Sequence, residues 1–558
     1  MNKKRFRFLA IAAVLLAVNT FFACCIQSDG FRARVYTVDI LTEESQTLNA
    51  KLYLPKSADT ENPRPAVILS AGGNSEYFMV EPFAVEMVKR GYIVAAYTPY
   101  KHGMSSIYET ADMGASSMVD YVSSLPMVKE GQIGLLGQSR GGVYLTMAAA
   151  HRPEAVASVL TIDYVPELLR QTGFTAETPV DFGVICNRFN EYLPDPLVFR
   201  RDEQLQGIFG ADEEIVPALT YYTGGGARLV MTAGSLDATY SFHPEVVAKA
   251  VDFFRLTLPF AEYQECGVGA FALLLCNNLL GFFAMLLTIF GVLYVLVPEV
   301  NGPRCHASIH CGGRMLWLGG LAGCVSYIPL YMLGKRILAP TELFPQNDTN
   351  GQLIWSVFVL LFYTGVMVLY EKRHPEESLS LPELSKPLGD TLRQFVCTLC
   401  AVGAAYGINA LRRSWFGLNF TLLWADFSVF TFRRGIAAIT YFLIFLIYFV
   451  ASGAYQIKFS WDDTHPRRSM IVGSAFTTLG MVALFLLHIA GFFITGHSLF
   501  YWGRFAFSPI LYMLPLLPAV GAFTGWCYRR TRTIYTGAFL NALLLTWLFV
   551  ASNAFFYM

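Results

Sequence analysis

The sequence has 558 residues, of which 54% are hydrophobic and only 15% are charged, so it is too apolar for a soluble protein of this length. Its 41 basic and 41 acidic residues give a formal net charge of zero, which removes the electrostatic basis for nucleic-acid binding. Charged residues are dense up to about Glu265 and then give way to long apolar runs. We therefore predict a membrane protein with one soluble domain.

The N-terminus is predicted to direct the chain into a membrane. Four basic residues within the first seven precede an apolar run over residues 8–25, and this pattern is typical of a signal peptide or an uncleaved signal anchor. We favour the anchor over residues 1–29, because Phe21 is a poor residue three positions before a lipoprotein cysteine at Cys24. In either case the basic end stays in the cytoplasm and the following domain crosses the membrane.

Residues 30–262 alternate between short apolar strands and helices, which predicts an α/β domain with a doubly wound, mostly parallel sheet. The first two strands are predicted to form a β-hairpin. We predict strands over 34–41, 48–55, 66–70, 92–97, 133–136, 157–162, 205–210 and 227–232, and helices over 82–90, 111–125 and 244–256.

The hexapeptide 137–142 contains the pattern Gly-x-Ser-x-Gly between a predicted strand and a predicted helix. In that context the serine lies on a sharp turn that glycine on either side makes possible, and its hydroxyl is exposed above the sheet. Ser139 is therefore the predicted nucleophile.

The domain resembles the α/β-hydrolases, nearest the dienelactone hydrolase and prolyl-oligopeptidase-like branch. The matching stretches are 70–73 after the third strand, 102–105 after the fourth, the hexapeptide 137–142, and 210–217 after the presumed next-to-last strand. The resemblance covers nearly the whole domain. It implies an enzyme that cleaves an ester, thioester or amide through an acyl-enzyme, and it does not specify the substrate.

A serine hydroxyl needs a histidine base that a carboxylate orients. His102 matches a structural histidine of the family, and His151 ends the helix after Ser139. His243 is the predicted base, because it follows the last strand, as the family's base does. The family's histidine often comes directly after that strand, where this chain has Asp237. His243 can act only if the intervening loop folds back toward Ser139; otherwise the domain binds rather than cleaves.

The orienting acid has three candidates. Glu213 aligns with the family's aspartate, Asp212 precedes it by one residue, and Asp237 is the third. We favour Glu213.

Backbone N–H groups are expected to stabilise the oxyanion that forms during acyl transfer. One donor is Arg140, and the other comes from the loop after the third strand, at Gly72, Gly73 or Asn74. An aromatic-bearing insertion over about 163–202 is predicted to be a lid.

Residues 263–558 are predicted to form a transmembrane domain of eight helices, over 269–296, 316–333, 353–370, 395–411, 437–455, 470–494, 505–527 and 535–556. If the N-terminus is cytoplasmic, the loops richest in Lys and Arg all lie inside, which predicts an extracytoplasmic hydrolase domain in a multi-pass membrane protein. The apolar segment 415–432 contains Asp426 and has arginines on both sides, so we predict an interfacial or re-entrant helix there.

The leading functional prediction is a membrane-bound serine hydrolase acting on a small-molecule, lipid-derived or peptide acyl substrate beside the bilayer. The alternatives are a non-catalytic, hydrolase-like sensor or accessory domain, and an acyltransferase using the same site. No cofactor and no metal are predicted, because the cluster of cysteines and histidines over 305–311 is too tightly spaced for a usual zinc site.

Overall fold

A nine-stranded sheet organises the N-terminal domain in the computed structural model, which describes residues 6–163, 165–193, 197–300, 309–375, 387–496 and 499–556. Its strands coincide with short apolar runs or with segments in which apolar and polar residues alternate. They are β1 (Ala33–Leu41), β2 (Thr47–Pro55), β3 (Arg64–Ser70), β4 (Ile93–Tyr97), β5 (Val128–Gln138), β6 (Val156–Ile162), β7 (Asp181–Phe189), β8 (Thr220–Thr223) and β9 (Gly226–Leu236).

The strand order is β1-β2-β4-β3-β5-β6-β7-β9-β8. The pairs from β4 to β9 are parallel, whereas β2 is antiparallel to both β1 and β4, and β8 is antiparallel to β9. Parallel strands place their carboxyl ends at one edge, where the loops that follow them meet. The predicted mostly parallel sheet is confirmed.

Helices connect the strands and cover the sheet. The N-terminal helix α1 (Arg7–Gln27) precedes the domain, which contains α2 (Glu81–Lys89), α3 (Ala115–Ser123), α4 (Arg140–His151), α5 (Pro166–Leu169), α6 (Glu203–Phe209) and α7 (Pro244–Thr257). A 3-10 helix, Asp237–Phe242, joins β9 to α7.

Two sequence predictions in this domain are wrong. Residues 205–210 are not a strand, because α6 occupies them, with Asp202 accepting a hydrogen bond from Leu205 N as the N-cap and Gly210 in the left-handed conformation at the C-cap. The presumed insertion 163–202 contains the sheet strand β7. The strand before the last parallel strand is therefore β7, which changes where the family's acid would lie.

The C-terminal region is helical: α8 (Ala270–Leu296), α9 (Ile309–Ile337), α10 (Asn347–Arg373), α11 (Leu388–Phe416), α12 (Phe432–Ser460), α13 (Pro466–Thr495), α14 (Phe507–Met513), α15 (Leu517–Thr531) and α16 (Tyr535–Ser552). Within the described ranges, eight helices of the chain are long and apolar enough to span a membrane, and α1 is one of them. A ninth candidate is bent by 53° between Met513 and Leu517. These helices fit a multi-pass membrane protein.

The segment between α11 and α12 differs from the prediction. It contains no helix and instead forms a two-stranded hairpin of β10 (Thr421–Leu422) and β11 (Ala425–Asp426). Asp426 is fully buried there. Cys305 and His306 of the cysteine–histidine cluster lie outside the described residues.

Helix α1 packs along α8. The side-chain amide of Asn19 donates to Asn277 O at 2.6 Å, and the amide of Asn277 donates to Asn19 O at 3.1 Å. Gly281 and Gly291 of α8 allow the close approach, because a Cβ on either glycine would press against α1. Small residues and interhelical amide hydrogen bonds are typical of helix pairs in membranes.

The two regions share one hydrophobic core. A continuous cluster of buried residues runs from one face of the sheet through α2 and α7 into the spanning helices. Polar contacts reinforce it: Lys51 Nζ donates to Gly417 O at 2.7 Å, and Arg434 Nε donates to Gly103 O at 2.9 Å. The sheet domain is therefore fixed against the helices rather than tethered to them.

Candidate active site

Ser139 lies on a strained turn between β5 and α4. Its φ of +51° and ψ of −120° place it in a region that L-residues rarely adopt. The turn needs its glycines: a Cβ at Gly137 would overlap the backbone of Gly141 and Gly142, and a Cβ at Gly141 would overlap Ala71 O. The Ser139 hydroxyl does not cap α4, and the residue is only partly buried. The sequence motif thus has the geometry of a nucleophile elbow.

The loop after β3 comes close to the start of α4. Arg140 is the first residue of that helix, so its N–H has no acceptor within the helix. Gly72 lies against the side chain of Gln138, and Gly73 lies against the side chain of Arg140. Of the predicted oxyanion donors, Arg140, Gly72 and Gly73 are brought to one place beside Ser139.

His102 holds this loop in position. The N–H of Asn74 donates to His102 Nε2 at 3.1 Å, and His102 Nδ1 in turn donates to Tyr100 O at 2.7 Å. Burial lowers the pKa of His102 to about 4, so the ring is neutral at physiological pH. Because its N–H is engaged, Asn74 is not positioned as an oxyanion donor. Both ring nitrogens of His102 have structural partners.

Two buried carboxyl groups follow β7 and β9, the last two parallel strands of the sheet. Glu191 follows β7, and its two carboxylate oxygens accept hydrogen bonds from the backbone N–H groups of Asp237 and Ala238, at 2.8 and 2.9 Å. Asp237 directly follows β9, and its Oδ1 accepts a hydrogen bond of 2.7 Å from Gln138 Nε2. Gln138 is the neighbour of Ser139, so Asp237 is linked to the elbow.

Burial dominates the electrostatics of this cluster. It raises the pKa of Glu191 to about 7, against the opposing effect of three backbone hydrogen bonds, from the N–H groups of Glu191 itself, Ala238 and Asp237. Burial, followed by the neighbouring carboxylates of Asp163 and Glu191, also raises the pKa of Asp237. Asp163, at the end of β6, is itself hydrogen-bonded to Asn187. Three buried carboxyl groups therefore adjoin the elbow, and the sequence reasoning missed Glu191 and Asp163.

Replacing Glu191 by glutamine is expected to change the pH dependence of stability. The pKa of Glu191 is higher in the folded protein than in the unfolded chain. Protonation of Glu191 therefore contributes fully to the free energy of unfolding below pH 4.5, and this contribution is lost as the pH rises to about 7. At 1.36 kcal/mol per pKa unit, the difference in unfolding free energy between the wild type and Glu191→Gln should shift by about 3 kcal/mol over that interval, in favour of the variant at the higher pH.

This shift can be measured by thermal unfolding of both full-length proteins at several pH values in one detergent. His102 is common to both, so its own titration cancels in the comparison. The matched control is Glu213→Gln at an exposed position, which should parallel the wild type. Parallel curves for Glu191→Gln and the wild type would contradict the assignment.

The structure also locates the other predicted catalytic residues. Asp212 and Glu213 are exposed in the loop after α6, which leads to β8 at the sheet edge, four strands from β5. His243 is partly buried at the start of α7, and its Nδ1 has no hydrogen-bond partner within the described part of the chain. His151 ends α4. Of the predicted site residues, the structure thus brings together Ser139, Asp237, Arg140, Gly72 and Gly73 at the turn between β5 and α4.

The helical region covers the edge of the sheet on which this site lies. The side-chain amide of Asn74 donates to Asp348 at the start of α10, and its backbone O accepts a hydrogen bond from Tyr512 OH at 3.3 Å. Trp424 Nε1 donates to Ala238 O at 2.7 Å, which holds the start of the 3-10 helix. The loops around Ser139 therefore lie against the ends of the spanning helices.

The strand order, the strained serine turn and the helix that begins directly after it define the α/β-hydrolase fold for the N-terminal domain. The region that follows has the long apolar helices that fit a multi-pass membrane protein, so the chain combines an α/β-hydrolase fold with candidate membrane-spanning helices.

No family model matches the chain, and no curated protein matches it. Among solved structures, it is similar to a predicted CIB-like hydrolase from Thermoplasma acidophilum, at 16% identity over 40% of this chain and 99% of that one, with a TM-score of 0.31. It is also similar to a dienelactone hydrolase from Anabaena variabilis, at 18% identity over 41% and 99%, with a TM-score of 0.29.

A third similar structure is a putative dipeptidyl aminopeptidase IV from Bacteroides ovatus, at 14% identity over 41% of this chain and 37% of that one, with a TM-score of 0.33. At these identities the similarities concern the fold alone.

Proposed function

We propose that the protein is a membrane-bound serine hydrolase that cleaves an acyl ester through an acyl-enzyme on Ser139. The observation that carries the proposal is the strained conformation of Ser139 beside the glycine loop. Backbone strain of this kind costs about 1–3 kcal/mol and persists only where the surrounding structure enforces it, which is typical of functional sites.

In this mechanism the Ser139 Oγ attacks the acyl carbonyl while its proton passes to the carboxylate of Asp237. The N–H groups of Arg140 and of Gly72 or Gly73 stabilise the oxyanion. When the tetrahedral intermediate collapses, the leaving alcohol takes the proton from Asp237. A water molecule then gives its proton to Asp237 as its oxygen attacks the acyl-enzyme, and the proton returns to Ser139 as the acid product leaves.

We assign the base to Asp237 rather than to His243 because of their positions. Asp237 directly follows the last parallel strand and is hydrogen-bonded to Gln138, the neighbour of Ser139. A carboxylate with a raised pKa is a stronger base than an ordinary one, and burial, followed by the neighbouring carboxyl groups, raises the pKa of Asp237. Among the residues that the structure describes, none forms a hydrogen bond with the buried Nδ1 of His243.

We further propose that the hydrolase domain lies on the outer side of the membrane. It follows the C-terminal end of α1, whose N-terminal flank is basic. The helix ends that contact the domain, including those at Asp348, Gly417 and Arg434, fall on that same side when the helices alternate across the membrane. The opposite ends carry most of the basic loop residues, as the positive-inside rule expects.

A charged, membrane-impermeant fluorophosphonate tests both proposals together. It should label the wild-type protein on intact cells, because it reacts with activated serines, and Ser139→Ala should abolish the label. The matched control is Ser116→Ala on α3, which should label like the wild type. Labelling only after cell lysis would contradict the location, and labelling that survives Ser139→Ala would contradict the nucleophile.

A non-catalytic, hydrolase-like domain is the second candidate function. Two observations favour it: Asp237 stands where the fold usually carries a histidine, and both oxygens of Glu191 are engaged by backbone N–H groups. A folded wild-type protein that no fluorophosphonate labels, intact or solubilised, would support this candidate and exclude the hydrolase.

A further inference from the structure

A cavity lies among the spanning helices, between α9, α10, α12, α13, α14, α15 and α16. Its volume is about 60 Å³, which is room for roughly four or five water-sized groups. Most of its lining is apolar or aromatic, and Gly320, Gly323, Gly480, Trp355, Tyr448 and Met481 are among its residues. This apolar lining suits part of one hydrocarbon chain.

One polar group in the cavity lacks a partner. Gln352 is fully buried on α10, and its Oε1 accepts a hydrogen bond of 3.1 Å from Tyr327 OH. Its Nε2 has no hydrogen-bond partner within the described residues. Leaving a buried donor unsatisfied costs about 1–3 kcal/mol. A bound molecule that presents an acceptor oxygen to Gln352 would recover that cost.

The cavity adjoins the site around Ser139 through two helices. On α10, Gln352 lies one turn, about 6 Å, beyond Asp348, whose carboxylate accepts a hydrogen bond from Asn74 in the loop after β3. On α14, the cavity residue Met513 follows Tyr512, which donates to Asn74 O. The same two helices thus contact the candidate oxyanion loop and line the cavity.

We propose that this cavity binds the hydrocarbon chain of a lipid acyl ester whose carbonyl reaches Ser139, with Gln352 Nε2 donating to an oxygen of the lipid. This inference rests on the proposed hydrolase function and names its substrate class. The ester lies at the boundary between the sheet domain and the helices, and the chain extends into the spanning region. A water-soluble ester with a short acyl group uses only the site at Ser139.

Gly323→Leu tests the cavity directly. A Cβ at Gly323 would make ordinary van der Waals contact with the side chains of Trp355, Tyr363 and Val359, at 3.7 Å or more. Because Gly323 lines the cavity, the rest of the leucine side chain should occupy part of its volume. The matched control is Gly365→Leu on α10, where a Cβ has nothing within 4 Å.

The first measurement needs no catalysis. Ser139→Ala protein in lipid nanodiscs is irradiated with a dodecanoyl ester that carries a diazirine at the chain end, and the cross-linked peptides are mapped. We expect adducts on the cavity residues of α9 and α10. Adding Gly323→Leu to the Ser139→Ala protein should abolish these adducts, and adding Gly365→Leu should leave them unchanged. Adducts confined to other surfaces, or unchanged by Gly323→Leu, would overturn the inference.

The second measurement compares a dodecanoyl ester with an acetyl ester in the full-length enzyme. Gly323→Leu should lower kcat/KM for the dodecanoyl ester about tenfold or more, because pocket contacts with a chain discriminate on that scale. It should leave acetyl ester hydrolysis near the wild-type rate. Equal losses on the two esters would overturn the inference. A wild type that cleaves neither ester would instead refute the hydrolase, while cross-linking still reports on the cavity.

Discussion

Replacing Asp237 by asparagine is expected to lower kcat/KM for an acyl ester by about 10²–10⁴-fold, the usual contribution of a general base. Asparagine has the same shape, and its side-chain oxygen can still accept the hydrogen bond from Gln138. The loss would therefore reflect the missing basicity of the carboxylate. In the wild type the rate should rise with pH, because burial raises the pKa of Asp237 and only its ionised form accepts the proton of Ser139.

The matched control for this result is His243→Gln. Its kcat/KM should stay within about threefold of the wild type, as expected of a group that takes no part in the proton transfer. Steady-state kinetics across a pH series, with thermal unfolding to verify that both variants are folded, decide the matter. A collapse of activity in His243→Gln together with a nearly normal Asp237→Asn would assign the base to the histidine.

Replacing Lys51 by methionine is expected to lower the unfolding free energy by about 3–5 kcal/mol. The ammonium of Lys51 lies 2.6 Å from Glu81 Oε1, and both side chains are almost fully buried. Lys51 also donates to Gly417 O across the boundary between the two regions. Without the lysine, the one hydrogen bond left to the Glu81 carboxylate from the described part of the chain is that of Tyr53 OH.

A second substitution tests this explanation. Lys51→Met combined with Glu81→Leu should recover most of the lost stability, because an apolar pair replaces a buried ion pair at little cost, whereas a lone buried charge is expensive. Lys56→Met, at an exposed position just after β2, should match the wild type. Thermal unfolding in one detergent measures all four proteins. A double variant no more stable than Lys51→Met would show that the buried charge is not the cause.

The elbow could be predicted from sequence because its requirements are local. Glycines at 137 and 141 permit a turn that no other residue fits, and the flanking strand and helix have clear patterns. The order of most strands followed from the same reasoning. The positions of the candidate spanning helices were also predictable, because long apolar runs determine them with little competition from tertiary contacts, but their exact ends and the bend within 505–527 were not.

The position of Glu191 could not be predicted from the sequence, because residues 205–210 were predicted to form a strand, whereas they belong to α6 and its C-cap. Leu205, Ile208 and Phe209 are buried at helical spacing, and Asp202 and Gly210 are typical caps, so the information was present. The real strand, β7, lay inside the presumed lid, and Glu191 after it was overlooked. The contacts of Asn74 with Asp348 and Tyr512 join residues hundreds of positions apart, which no local pattern reveals.

The continuous core between the sheet and the spanning helices makes the division of the chain near residue 262 a boundary in sequence only. A fragment cut there would expose to water the apolar face of α2, which the helices cover in the intact chain, and would aggregate. The contacts of Asn74 with Asp348 and Tyr512 connect the loop after β3 to these helices, so we expect a change in bilayer thickness to shift that loop.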